Sequence, residues 1–109
     1  MTTADRLGRW LAAHADGDWE HAHGVTIESL DNPGWRVRID LQGTSLAERP
    51  FAPVRRGLAD DPQPHAETPF QPDAAVWIHC EVREGRFHGA GDLGQLDRIL
   101  TLFLDWAGV

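Results

Sequence analysis

The apolar positions of this chain change period along its length. Leu7, Trp10, Leu11 and His14 recur at i, i+3, i+4 and i+7, which marks one face of a helix. Thr2 or Thr3 can cap it, and Asp5 stands where a capping box starting at Thr2 needs a partner. The helix is expected to end near Ala15, before Asp16-Gly17. From Gly24 the period drops to two: Val25 and Ile27 alternate with Thr26 and Glu28. Asp31-Asn32-Pro33-Gly34 reads as a tight turn, since Pro presets φ and Gly tolerates positive φ. Beyond it Trp35, Val37, Ile39 and Leu41 share one face and Arg36, Arg38 and Asp40 the other, the clearest strand of the chain. A tight turn between two such strands pairs them antiparallel.

The same alternation returns at 76–83. Val76, Ile78, Cys80 and Val82 face one way and Trp77, His79, Glu81 and Arg83 the other. Glu84-Gly85 predicts a hairpin turn, and Arg86-Phe87-His88-Gly89 a short fourth strand that Gly89-Ala90-Gly91 breaks. Asp92, with Gln95 at the reciprocal position, is expected to cap a second helix. Leu93, Leu96, Leu100, Phe103 and Trp106 form its apolar stripe, and Gly108 ends it.

The stretch 43–75 follows no period. Leu46 and Phe51 can anchor a short edge strand or a return loop. Pro50, Pro53, Pro62, Pro64, Pro69 and Pro72 crowd this region, and Pro lacks a ladder donor. Residues 54–73 therefore read as an extended loop inserted into a single domain spanning 1–109, with Phe70 tacking it down. The expected fold is α+β: an antiparallel three- to four-stranded meander with the N-terminal and C-terminal helices packed on one face.

Charge narrows the partners. The net charge is −7, and all ten basic residues are Arg. Residues 16–35 hold Asp16, Asp18, Glu20, Glu28 and Asp31 and no Arg, a local sum of −5. Such a stretch suits a basic partner and speaks against nucleic acid or an anionic membrane surface. No apolar run approaches the roughly 18–20 residues that span a bilayer, and no leader pattern opens the chain. The single Cys80 excludes an internal disulfide. These features lead us to expect a cytoplasmic protein.

The candidate chemistry concentrates in Asp16-Gly17-Asp18-Trp19-Glu20-His21-Ala22-His23-Gly24. A metal site is one reading. His21-x-His23 in a strand would share a face, with Glu20, Asp18 or a cross-strand His79 completing the set, but zinc wants three or four firm ligands. Acid–base hydrolysis by Asp16, Asp18, Glu20, Glu81 and His79 is a second. It needs a deep cleft, and no phosphate loop, nucleophile elbow or zinc-protease helix accompanies it. The third is a protein-binding surface in which Trp19 and Trp77 anchor an acidic patch.

Asp16-Gly17-Asp18-Trp19-Glu20-His21, followed by Gly24-Val25-x-Ile27 and Leu30-Asp31-Asn32-Pro33-Gly34-Trp35-x-Val37-x-Ile39-Asp40-Leu41, resembles the bacterial immunity protein 53 family of polymorphic toxin systems. Trp77-Ile78-His79-Cys80-x-Val82, Phe87-x-Gly89-Ala90-Gly91 and Ile99-Leu100-x-x-Phe103-Leu104-x-Trp106 are similar to its second half. The likeness covers the chain except about 52–73. It implies a non-enzymatic inhibitor of a cognate toxin, with no catalytic residues and no cofactor. The acidic stretch fits a basic toxin such as a nuclease domain. The expected contact residues are Asp16, Asp18, Trp19, Glu20, His21, His23, Glu28, Trp77, His79 and Glu81. The alternative is a metal- or small-ligand-binding accessory protein using His21, His23 and His79.

Overall fold

The computed structural model describes residues 1–31, 33–58 and 75–109. The period-two stretches become strands β1 (Val25–Leu30), β2 (Gly34–Asp40), β4 (Ile78–Arg83) and β5 (Arg86–Gly91), and a short β3 (Val54–Arg56) joins them. They form one five-stranded sheet in the order β1-β2-β5-β4-β3, antiparallel at each junction. The expected meander of three or four strands is therefore corrected. The long connection after β2 carries the chain to the far edge, and the β4–β5 hairpin returns with β5 inside, against β2. Glu84 (φ 53°) and Gly85 (φ 73°) make the positive-φ pair that a two-residue hairpin of matching twist requires.

β3 was not expected as a strand: it falls at the start of the stretch read as a loop. Its three residues pair with β4 from Val54↔Cys80 to Arg56↔Ile78. Residues 59–73 of that predicted loop, with Pro62, Pro64, Pro69, Phe70 and Pro72, lie outside the described residues, as does Asn32 of the first turn.

Helix α1 (Thr3–His14) begins as the sequence predicts, with Thr2 as cap and a reciprocal capping box to Asp5. A one-turn α2 (Trp19–Ala22) follows, and α3 (Leu96–Ala107) closes the chain. The predicted cap at Asp92 is corrected: Asp92 organises the turn ahead of α3 and the helix itself starts four residues on. Asp92 Oδ1 accepts the Gly94 N–H at 2.9 Å, and Oδ2 accepts the Trp77 N–H at 2.8 Å and the Gln95 side-chain N–H at 3.1 Å. Leu93, placed in the apolar stripe by its spacing, is consequently 57% exposed.

Both helices lie in the layer over Val37, Ile39, Ile78, Cys80 and Phe87, and Ile99, Leu100, Phe103 and Leu104 of α3 and Trp10 of α1 fill it. Phe87 and Phe103 are wholly buried with ring centroids 5.2 Å apart; each such burial contributes about 1.5–3 kcal/mol. Trp10 meets Phe103 edge-on at 5.1 Å, which joins the two helices through their apolar faces. Arg6 adds a polar clasp, to Asp105 at 2.8 Å and to the Val109 carbonyl. Cys80 sits in this core as a small hydrophobe, and burial pushes its thiol up to about 12.

β5 runs unbroken through Gly89-Ala90-Gly91, contrary to the expected break. Those glycines serve close approach. A Cβ on Gly89 would collide with the Ile99 side chain of α3, and one on Gly91 would come within 2.6 Å of Gln95. The helix layer thus seats directly on β5, while the opposite face of the sheet carries the polar residues.

Candidate partner-binding surface

The predicted site residues divide between two places. One is the corner that turns α1 into β1. Asp16 Oδ1 accepts the N–H groups of Asp18 and Trp19, both at 2.9 Å. These bonds hold the Asp16 carboxyl below the usual carboxylate range and make the corner rigid. Trp19 packs among Trp10, His14 and His23, and its indole N–H bonds the Gln42 carbonyl at 2.8 Å. Half-buried, it is a strut of the corner as much as a surface group. Asp18, Glu20 and His21 remain exposed. His21 sits on α2, not in a strand, so the expected His21-x-His23 pairing on one strand face does not arise. His23 lies 3.7 Å from Asp40, whose other contacts are the Gly24 N–H at 3.0 Å and Arg86 at 2.7 Å.

The second place is the open face of the sheet. Strand register lays it out in rows. One row runs Glu28–Arg36–Ala90–His79–Arg55, the next Thr26–Arg38–His88–Glu81, and the last Asp40–Arg86–Arg83. Glu28 and Glu81 were expected to meet a partner from this face, among Arg36, Arg38 and Arg83. With Arg55 and Arg86 added, five Arg here outnumber Glu28, Asp40 and Glu81. Glu28 pairs with Arg36 at 3.7 Å and Arg38 at 3.5 Å, and Glu81 with Arg83 at 2.8 Å. Exposed pairs of this kind contribute about 0–1 kcal/mol each, so they can re-pair with a partner. Sequence reading missed Arg86 and His88 here because it stopped the fourth strand short and assigned it no face.

Trp77, expected among the exposed charges, is only 2% exposed. Its backbone is fixed by Asp92, so it is a structural residue and offers a partner no surface. His79 stands 3.4 Å from Glu81. Burial pushes its imidazole below the usual histidine range against the pull of Glu81, and burial with nearby Arg83 does the same to His88. His79 is three strands across from β1, roughly 14 Å at ~4.8 Å per strand, and two rows from Asp40. His21, His23 and His79 therefore do not converge, which removes the geometric basis of the metal alternative. Among the described residues no group of three or more His, Cys, Asp or Glu is placed to hold a metal ion. No helix is long and apolar enough to cross a membrane, among the residues described.

A shallow polar cleft of about 170 Å³ opens on this face between Thr26, Arg38, Asp40 and Arg86. Small-molecule sites run to about 300–1,000 Å³ with mostly apolar walls. A cleft this small and this charged suits a single polar side chain of a partner.

These ionisable groups set the acid limit of the fold. In the unfolded chain His79 and His88 bind protons before they do in the folded one, so stability falls once pH drops below about 6.5. Burial raises Asp92, but its three hydrogen bonds prevail and hold it low, as Thr2 holds Asp5. Together with Asp16 they produce a second loss below about pH 4. Thermal melts across pH 8 to 3 should show a plateau above pH 7 and a two-stage fall beneath it. A Tm that rises between pH 7.5 and 5 would contradict this account.

Compared with known proteins, residues 4–108 match the family model described as Immunity protein 53. No curated protein and no solved structure matches the chain.

Proposed function

From the premise that the chain belongs to the immunity protein 53 family, and so to immunity proteins acting against a toxin, we propose that it neutralises its cognate toxin by direct, non-catalytic binding steered by the acidic corner. The observation that carries this reading is the placement of Asp16, Asp18 and Glu20, all exposed, on a corner with no Arg or Lys between residues 16 and 35. A toxin that acts on a polyanion, such as a nuclease, carries the complementary charge. The inhibitor then needs no active site of its own, because masking a basic surface denies the toxin its substrate. The protein works in the cytoplasm of the bacterium that makes the toxin.

Co-expression with a candidate toxin from a neighbouring gene tests the proposal. Growth is rescued, the purified pair forms a complex, and toxin activity titrates to zero at a fixed molar ratio. Full inactivation by a small fraction of an equivalent would mean turnover and would overturn the non-catalytic reading. Absence of rescue would remove the toxin assignment altogether.

A further inference from the structure

The two edges of the sheet are built differently. β3 is three residues long, follows Pro53 and carries Arg55 and Arg56, which are devices that discourage further strand pairing. β1 has six residues, no Pro, no bulge, and Glu28 as its sole charge. The Asp40 N–H donates to the Gly24 carbonyl at 3.0 Å. In an antiparallel ladder this phase turns the backbone groups of Thr26 and Glu28 toward β2 and those of Val25, Ile27 and Ser29 outward. The outward row ends the sheet, since β1 has β2 alone as a neighbour among the described residues.

The surroundings of that row specify an occupant. Asp18 and Glu20 precede it and Asp31 follows it, all exposed, and Glu28 stands on its open-face side. On the helix side Ile27 is 41% exposed and Leu93 57%, with Trp35 between them, its indole N–H on the Leu93 carbonyl at 3.1 Å. We infer that the free edge of β1 is the docking site for an extended, basic segment of the toxin, which adds to the sheet as a sixth strand. This inference rests on the toxin-binding reading above. The backbone row supplies the ladder bonds. Alternate side chains of the incoming strand meet apolar surface at Ile27 and, on the open face, Glu28, whose exposed pairs with Arg36 at 3.7 Å and Arg38 at 3.5 Å can re-pair with a basic side chain, so an apolar–basic alternation fits it. A second copy of this chain fits badly. Antiparallel self-pairing sets Asp18 and Glu20 of one copy toward Asp31 of the other, and like charges oppose it.

Residue-resolved amide hydrogen exchange on the full chain tests the inference, alone and bound to the toxin domain that the co-expression identifies. In the free protein the Val25, Ile27 and Ser29 amides exchange quickly and those of Thr26 and Glu28 slowly. In the complex the first three slow by tenfold or more. Ser29→Pro removes one outward donor without touching the ladder to β2, and weakens toxin binding at least tenfold while Ser29→Ala binds as wild type. If the complex forms and these amides are unchanged, or if a folded Ser29→Pro chain binds as wild type, the edge is not the docking site and the toxin reading stands. If no complex forms, both fall together.

Discussion

Gly89→Val melts roughly 10–20 °C below the wild type. The side chain it adds points from β5 straight into the Ile99 side chain of α3, and Phe87 closes the space beside it at 3.2 Å. Ile99 is wholly buried and cannot turn away into solvent, so either the helix lifts or the strand bends. Overpacking of this kind costs about 1–3 kcal/mol, and in a domain of about 100 residues each kcal/mol moves Tm by about 4–8 °C. Gly8→Ala supplies the opposite sign. Gly8 is exposed on α1, and nothing lies within 4 Å of a Cβ built there. Removing a helix-interior glycine from such a position stabilises by about 0.5–1 kcal/mol. Paired thermal melts decide the matter: a Gly89→Val Tm within two or three degrees of wild type would show that α3 does not bear on β5.

That contrast explains what the sequence disclosed and what it withheld. Gly89 and Gly8 are the same letter with opposite meanings, and the difference depends on a helix ten residues later folding back over one of them. Reading locally, Gly89-Ala90-Gly91 ends a strand. In the fold it is where the strand comes closest to α3. The long alternations at 25–30, 34–41 and 76–83 were legible because each needs only its own residues to state which side is wet. The family likeness was legible for the same reason, resting on contiguous runs. Strand order was not, because nothing in β2 or β5 announces that they pair with each other across a connection of more than 40 residues. The candidate site suffered from this most. Alternation alone sets Arg83 on the same side as Glu81, but only the register places Arg36 and Arg38 beside Glu28. Trp77 alternates with Ile78 as an outward residue should, yet it is buried and its amide is held by Asp92. Asp16, Asp18 and Glu20 stay together in the fold because they are close in sequence: Asp16 accepts the Asp18 and Trp19 N–H groups, and the one-turn α2 carries Glu20.

The proposed steering predicts that reversing charge at that corner slows capture of the toxin more than it loosens the finished complex. Asp18→Arg together with Glu20→Arg changes the local charge by four units at two exposed positions. Asp16 is left intact because its carboxylate bonds two backbone N–H groups, and its loss would disturb the corner itself. Long-range attraction acts on the encounter, so the association rate constant should fall about 10-fold or more at low ionic strength. The dissociation rate should change less, since an exposed charge pair in the formed contact contributes only about 0–1 kcal/mol. Salt supplies the internal check. At about 0.1 M the screening length is ~10 Å, and with added salt the wild-type rate should decline toward that of the double variant. Glu81→Arg makes the comparison specific: it also reverses a carboxylate, but on the Arg-rich face, and should leave the association rate near wild type. Stopped-flow or surface-binding kinetics between low and high salt can read all three. A wild-type rate indifferent to salt would show that no charge attraction steers capture, and a Glu81→Arg penalty as large as that of the corner variant would place the attraction in the −7 net charge of the chain as a whole rather than in its corner.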